Sequence, residues 1–264
     1  MTILVLGFVL PPSIFASNEK KEDKEFKIPP GLSEIAPGVL SLGKAKDVNG
    51  NEVEGIIFVH YKNEFAKPQG IGKPPGKNTC YSFLTKGGVK WTGAEPWIVN
   101  PTNSAGLDPT FILNNIGLNI AKWEDASNGI LGDGIKTEIM ADGSSDKNLV
   151  AVPSSLDGAN EIYFANISST GVIAVTTTWY NTFSGQIVEW DQVYDDHDFP
   201  WSDNGASGTM DFENISTHEI GHAVGMGHPS DSCTSETMYR YASYGEIIKR
   251  DLNTGDIAGI NLLY

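Results

Sequence analysis

His218-Glu219-Ile220-Gly221-His222-Ala223-Val224-Gly225-Met226-Gly227-His228 is the stretch on which the reading of this chain turns. It spells H-E-x-x-H-x-x-G-x-x-H and holds three of the chain's five histidines. A helix running to about Val224 sets His218 and His222 four residues apart on one face, close enough to share a metal ion. Gly225 takes a positive φ at no steric cost, so the helix can stop there and the chain can turn to bring His228 up as a third ligand. Three neutral imidazoles suit Zn²⁺ and leave its fourth position open, the mark of a catalytic site and not a closed structural one. Water in that position is acidified, and Glu219, beside the ligand face, is placed to take its proton and pass it on to a leaving amine. Such an arrangement hydrolyses peptide bonds. A lone H-x-x-x-H would be weak evidence, whereas the full pattern with Gly225 and His228 is far more specific.

The remaining composition narrows the setting. At 264 residues and 40% hydrophobic, the chain can bury a proper core. Eighteen basic against 33 acidic residues give a net charge of −15, which argues against nucleic acid and anionic membrane surfaces as partners. Met1 to Ala16 carries the apolar run Ile3 to Leu10, a Pro11-Pro12 break and Ile14-Phe15-Ala16. That is short for a bilayer span and reads as a signal peptide over 1–17, with an uncleaved N-terminal anchor as the alternative. A secreted chain, or one tethered at the outer face, follows. The two cysteines, Cys80 and Cys233, form an even pair whose default state in an exported protein is one disulfide.

Working back to the N-terminus, Glu19 to Lys27 mixes acids and lysines with no apolar face and reads as a solvated linker. Gly38 to Lys62 suggests a small hairpin turning at Asn49-Gly50, and Lys67 to Lys77 is rich in Pro and Gly. Residues 18–79 are therefore expected to be a pro-segment or accessory hairpin with its linker, and 80–264 the catalytic domain. In that domain Pro96 to Asn100 reads as a strand, and Asp108 or Pro109 opens an amphipathic helix through Trp123. Strands are expected over Ile135 to Ala141, Glu161 to Asn166, Val172 to Tyr180 and Gln186 to Tyr194. Asp211 or Asn214 caps the histidine helix, and Thr254 to Leu263 forms a last short one. The fold class is α+β: a twisted five-stranded mixed sheet with a long helix, an active-site helix and a short C-terminal helix.

The histidine motif, followed ten residues on by Met238 in Ser235-Glu236-Thr237-Met238-Tyr239, resembles the metzincin metalloproteases. The Met-Tyr pair and the ending Leu252 to Tyr264 look most like the matrixins among them. The resemblance implies a metzincin-like fold and makes Met238 the apolar, polarizable floor beneath the zinc and Gly225 a structural part of the site. It also brings an alternative for Cys80, since matrixin pro-segments carry a cysteine that caps the zinc; here Cys80 lacks the usual Arg and Gly neighbours. Matrixins hold calcium and a second zinc as well. Asp191, Asp195, Asp196 and Asp198 offer oxygen ligands of the kind Ca²⁺ takes, while only His60 and His197 remain for a structural zinc.

The sequence thus predicts a secreted, monomeric zinc endopeptidase acting on protein or peptide substrates, with Glu219 as general base and His218, His222 and His228 as ligands. Its substrate is expected to lie extended along an open sheet edge, the strand Val172 to Tyr180. Two other readings stay open: a zinc-stabilised surface or adhesion module without turnover, and a zinc amidase acting on a cell-wall crosslink.

Overall fold

A computed structural model describes residues 24–65, 80–150 and 152–264. The expected signal peptide or anchor and the Pro/Gly-rich linker lie outside the described residues. The α+β fold expected from the sequence is the one found, and five further strands, at Glu25–Phe26, Ser33–Ala36, Val39–Lys46, Glu52–Lys62 and Tyr241–Ala242, enlarge its sheet to ten. At the N-terminal end come β1 (Glu25–Phe26), β2 (Ser33–Ala36), β3 (Val39–Lys46) and β4 (Glu52–Lys62). They are followed by β5 (Ser82–Phe83), β6 (Glu95–Asn100), α1 (Pro109–Ala126), β7 (Met140–Ser145), β8 (Glu161–Ile167), β9 (Val172–Asn181) and β10 (Ile187–Asp195). The chain finishes with β11 (Trp201–Ser202), β12 (Met210–Asp211), α2 (Phe212–Ala223), β13 (Met226–Gly227), β14 (Tyr241–Ala242) and α3 (Thr254–Leu263).

The main sheet runs β2-β3-β4-β9-β10-β8-β6-β7. Strands β10, β8, β6 and β7 are mutually parallel, and β9 is antiparallel to β10. Period-2 alternation divides the side chains between two apolar layers. Ile162 and Phe164 of β8 and Trp190 and Tyr194 of β10 join the core shared with the helices, while Tyr163, Ala165 and Val193 point the other way. Helix α1 starts where Asp108 accepts hydrogen bonds from the amides of Thr110 and Phe111 at 2.9 and 3.0 Å, with Pro109 in the first turn. It lays Ile112, Ile116, Ile120 and Trp123 into the inner core at helical spacing. Each such side chain contributes about 1.5–3 kcal/mol on burial. The outer layer is closed by the N-terminal segment, where Phe26 is buried and Ile28, Leu32, Leu40 and Leu42 pack against it.

Two expectations change. The strand read over Ile135 to Ala141 begins only at Met140. Its first half is held as a loop on the end of α1, because Glu124 accepts from the amides of Ile139 and Met140 at 2.9 and 3.1 Å and Asp125 accepts from those of Gly132 and Gly134. More consequentially, β9 is not an open edge. Its outer side pairs antiparallel with β4 from Val53↔Asn181 to Tyr61↔Val172. The apolar run Ile56 to Val59 supplies both layers at once, with Ile56 and Phe58 in the inner core and Ile57 and Val59 in the outer. A hairpin with two apolar faces cannot stand in water alone, and so it completes the sheet. The sheet therefore runs across the boundary expected at 79/80.

Candidate metal centre

Helix α2 begins at Asp211, whose Oδ1 accepts from the amide of Asn214 at 2.9 Å; Arg250 Nε and Nη2 donate to the same carboxylate at 2.8 and 2.6 Å. The helix ends on the 3.0 Å bonds Val224 N–Ile220 O and Gly225 N–His222 O. Gly225 then takes φ 101°, and a Cβ there would collide with the carbonyl of Val89. The next residues, β13, pair with β5 through Met226↔Phe83 and Gly227↔Ser82, which carries His228 back over α2. Carbonyls left open at the helix end are taken by Trp91 Nε1, donating to Ala223 O at 2.9 Å, and by the Tyr264 hydroxyl, donating to Val224 O at 3.0 Å.

The outcome is a cluster of three imidazoles. The Nε2 atoms of His218, His222 and His228 lie 3.1, 3.1 and 3.3 Å from one another. The His218 Nδ1–H donates to the carbonyl of Thr237 at 2.6 Å and the His222 Nδ1–H to that of Met226 at 2.9 Å. With Nδ1 carrying the proton, each of these rings turns an unprotonated Nε2 inward. Burial holds both rings below the ordinary histidine pKa, His222 at about 3, so they stay neutral, and His228 is held down for the same reason. Converging lone pairs at this distance call for a cation between them. Tetrahedral zinc with bonds of about 2.0–2.1 Å to nitrogen spaces its ligands about 3.3–3.4 Å apart. These residues fit a zinc ion.

The floor is set by the C-terminal residues. Met238 is fully buried against Gly221, where any Cβ would run into its sulfur. Its turn is fixed by Asp256, whose carboxylate accepts from the amides of Thr237 at 2.7 Å, Met238 at 3.2 Å and Asn253 at 2.9 Å. Trp123 Nε1 of α1 donates to Thr217 O at 2.9 Å and ties the helix to the core. Cys80 and Cys233 form the disulfide, which removes Cys80 from any metal-capping role.

Glu219 lies among residues the motif did not reveal. Its Oε1 accepts from His60 Nδ1 at 2.8 Å and its Oε2 from the Thr176 hydroxyl of β9 at 2.6 Å. Burial raises its carboxyl to about 8, against the opposing effects of Thr176 and Lys249. Lys249, wholly buried, donates to His60 Nε2 at 3.3 Å and to the carbonyl of Tyr241. The Phe58 ring stacks on His222 with centroids 3.9 Å apart, and His60 lies 4.0 Å from His218. A signal for His60 existed, since alternation places it on the face shared by Ile56 and Phe58. For Lys249 there was none. A cavity of about 410 Å³ is lined by His228 together with Ile56, Phe58, Phe83, Pro229 and Arg240 among others.

The four aspartates considered for calcium are not gathered. Asp191 accepts from the amide of Glu161, Asp195 from those of Ile167, His197 and Asp198, and Asp196 from that of Ser104, while Asp198 bonds the His197 ring. Among the described residues, the groups with ligand atoms close enough for one ion are His218, His222 and His228, and His60, His218 and Glu219.

With this geometry in place, comparison with known proteins gives the site a context. Residues 161–264 match the family Peptidase_M10, described as matrixin. Over 69 residues, 26% of this chain, the sequence is 39% identical to human Matrilysin, and the matched stretch is 25% of that protein. The chain thus spans about a quarter of the curated relative it matches. Its C-terminal part is matrixin-like, and the segment that contributes His60 lies outside the residues that match the family.

Proposed function

We propose that this matrixin-like chain is a secreted zinc endopeptidase in which His218, His222 and His228 hold the metal and Glu219 is the general base and then acid. The observation that carries the reading is the set of inward Nε2 atoms 3.1 to 3.3 Å apart, two of them with Nδ1 fixed by a carbonyl. Zinc bound there supplies Lewis acidity, which polarises a scissile carbonyl and acidifies water. The chain's own residues do the rest. Glu219, one position along α2 from His218, takes the proton of the attacking water and delivers it to the departing amine. Thr176 orients the carboxylate through Oε2 and His60 bonds Oε1, so the His60 contact must give way before Oε1 can handle the proton. Met238 and Gly221 exclude water from beneath the imidazoles.

The matrixin match supports peptide or protein as the substrate class. Secretion is supported by the disulfide, a bond that persists in oxidising compartments. No helix of the described residues is long and apolar enough to cross a membrane. The test is incubation of full-length protein with a denatured protein substrate, with zinc and with a zinc chelator, followed by N-terminal sequencing of the enzyme itself. Digestion that needs zinc and is lost in Glu219→Ala is expected. Digestion unaffected by that substitution refutes the assignment of the base.

A further inference from the structure

The three imidazoles of the centre are not held alike. His218 and His222 each have the second ring nitrogen tied, Nδ1–H donating to Thr237 O at 2.6 Å and to Met226 O at 2.9 Å. Both also stand on α2, whose backbone is closed by its own hydrogen bonds. His228 has neither support. It lies beyond the end of the helix, and its Nδ1 is buried with no hydrogen-bond partner among the described residues. Outer bonds of this kind orient a ligand ring, and losing one typically lowers metal affinity about 10–100-fold. The Gly225 turn aims His228 at the other two rings, but a turn alone does not keep it there.

Retention comes from a loop closed at both ends on one two-residue strand. On the near side β13 pairs with β5, Gly227 opposite Ser82, so closely that a Cβ on Gly227 would strike the carbonyl of Phe83. A ladder this short does not stand unaided. On the far side Cys233, five residues past His228 and 3% exposed, is bonded to Cys80, two residues before Ser82. Pairing and disulfide together close a ring around Pro229 to Ser232. The ring is anchored at Cys80, whose carbonyl lies so near Gly255 in the first turn of α3 that no side chain fits between them. Asp231 pairs with Arg240 and steadies the middle of the loop, yet that contact leads to the chain after Met238 and not to β5. The disulfide is the one covalent tie between the loop that follows His228 and the strand that carries it.

We propose, resting on the metal assignment of the reading above, that the Cys80–Cys233 bond retains the third zinc ligand, so that the oxidised chain holds its metal and the reduced chain releases it. Closing the bond oxidises two thiols. One thiolate attacks a disulfide oxidant, the second displaces the oxidant's sulfur from the mixed disulfide, and the oxidant departs as two thiols. Compartments that keep thiols reduced run the exchange the other way. A chain made in such a compartment carries a centre that loses zinc readily, and it becomes competent on reaching an oxidising one. One covalent bond then confines the hydrolytic chemistry to the outside of the cell.

A disulfide also stabilises by restricting the unfolded chain, an effect that favours no particular ligand. The test separates the two. Zinc affinity is measured by competition with a chromophoric chelator on four full-length forms whose fold is checked by circular dichroism: the native chain, Cys80→Ser with Cys233→Ser, His228→Ala, and all three substitutions together. Serine leaves no thiol to bind zinc in place of the histidines. With His228 present, loss of the disulfide is expected to weaken zinc binding about 10–100-fold. With His228 absent, the same loss is expected to change affinity by less than about twofold, because no third ligand remains to be retained. Equal weakening with and without His228 overturns the proposal, since the bond would then act on the fold at large. Unchanged affinity in the serine pair overturns it as well. If buried serines prevent folding, Cys80→Ala with Cys233→Val takes their place in the same cycle. In a second measurement the native zinc-loaded chain is reduced with a dithiol and alkylated, and zinc release to the chelator is timed; acceleration of about 10–100-fold is expected, and an unchanged rate counts against the proposal. A native oxidised chain that takes up no zinc at all would sink the metal assignment itself, an outcome distinct from equal binding by both forms.

Discussion

The floor and the roof of the histidine centre are built in opposite ways. The floor runs from Asp211 to Asp256, and its parts meet across short stretches of sequence: His218 with Thr237, Gly221 with Met238, Met238 with Asp256. The roof depends on a contact between residues 159 apart, His60 and Glu219, and on strand pairing that joins Phe58 to Thr176. Local geometry suffices to make a metal site, since a helix and one glycine turn converge three ligands. Access to that site is decided by distant chain, where nothing in the local pattern constrains what arrives.

Experiments at the two regions should therefore separate assembly of the centre from its use. The largest effect is expected at the floor's ligands. His222→Ala removes one of three imidazoles, and both zinc content by atomic absorption and peptide hydrolysis should fall to background. Glu219→Ala should keep a full complement of zinc while hydrolysis drops by about 10²–10⁴-fold, the contribution typical of a positioned acid–base group. Loss of zinc along with activity would make Glu219 part of the floor. Removing the disulfide by Cys233→Ser with Cys80→Ser should cost about 2–5 kcal/mol in denaturant unfolding, because the bond spans 153 residues. A smaller loss, about 1–3 kcal/mol, is expected for Asp256→Ala, which strands the amides of Thr237, Met238 and Asn253.

The smallest effect comes from a site remote from floor and roof, and it controls for general damage. Burial raises Glu189 to about 7; the nearby charges of Asp157 and Glu161 add to this, and its bonds from the amides of Gly158 and Asp157 oppose it. Asp191 and Glu161 beside it are raised too, again chiefly by burial. A folded-state pKa above the unfolded one stabilises fully below about 4.5, and the contribution is lost as pH climbs through about 7. Stability is expected to decline over that window, and Glu189→Gln should flatten part of the decline in melts taken at successive pH values. An unchanged slope would assign the pH dependence to the other acids.

How far the sequence carried follows from the same contrast. The H-E-x-x-H turn, the cap at Asp211 and the helix from Thr254 were readable because each is fixed by residues within a few positions. The strands β8, β9 and β10 were readable from β-branched alternation. Alternation says nothing about which edge a strand presents, so β9 read as open when β4 covers it. Met140 began its strand late because carboxylates at the end of α1 captured the preceding amides, a tertiary contact with no periodic signature. The disulfide was the default state of an even cysteine pair, with zinc capping by Cys80 as the alternative it displaces, whereas no local pattern marked Asp256 as the residue that fixes the Met238 turn.

The disulfide also fixes what would become of the hairpin. Both of its cysteines, Cys80 and Cys233, lie on the C-terminal side of β4, so no covalent bond other than the main chain joins residues 24–65 to the histidine centre. The hairpin is held over the histidines by main-chain pairing with β9 and by the packing of Phe58 and His60. Reduction of the disulfide breaks no bond of that cover, so a reducing solvent would loosen the loop after His228 and leave the roof where it is.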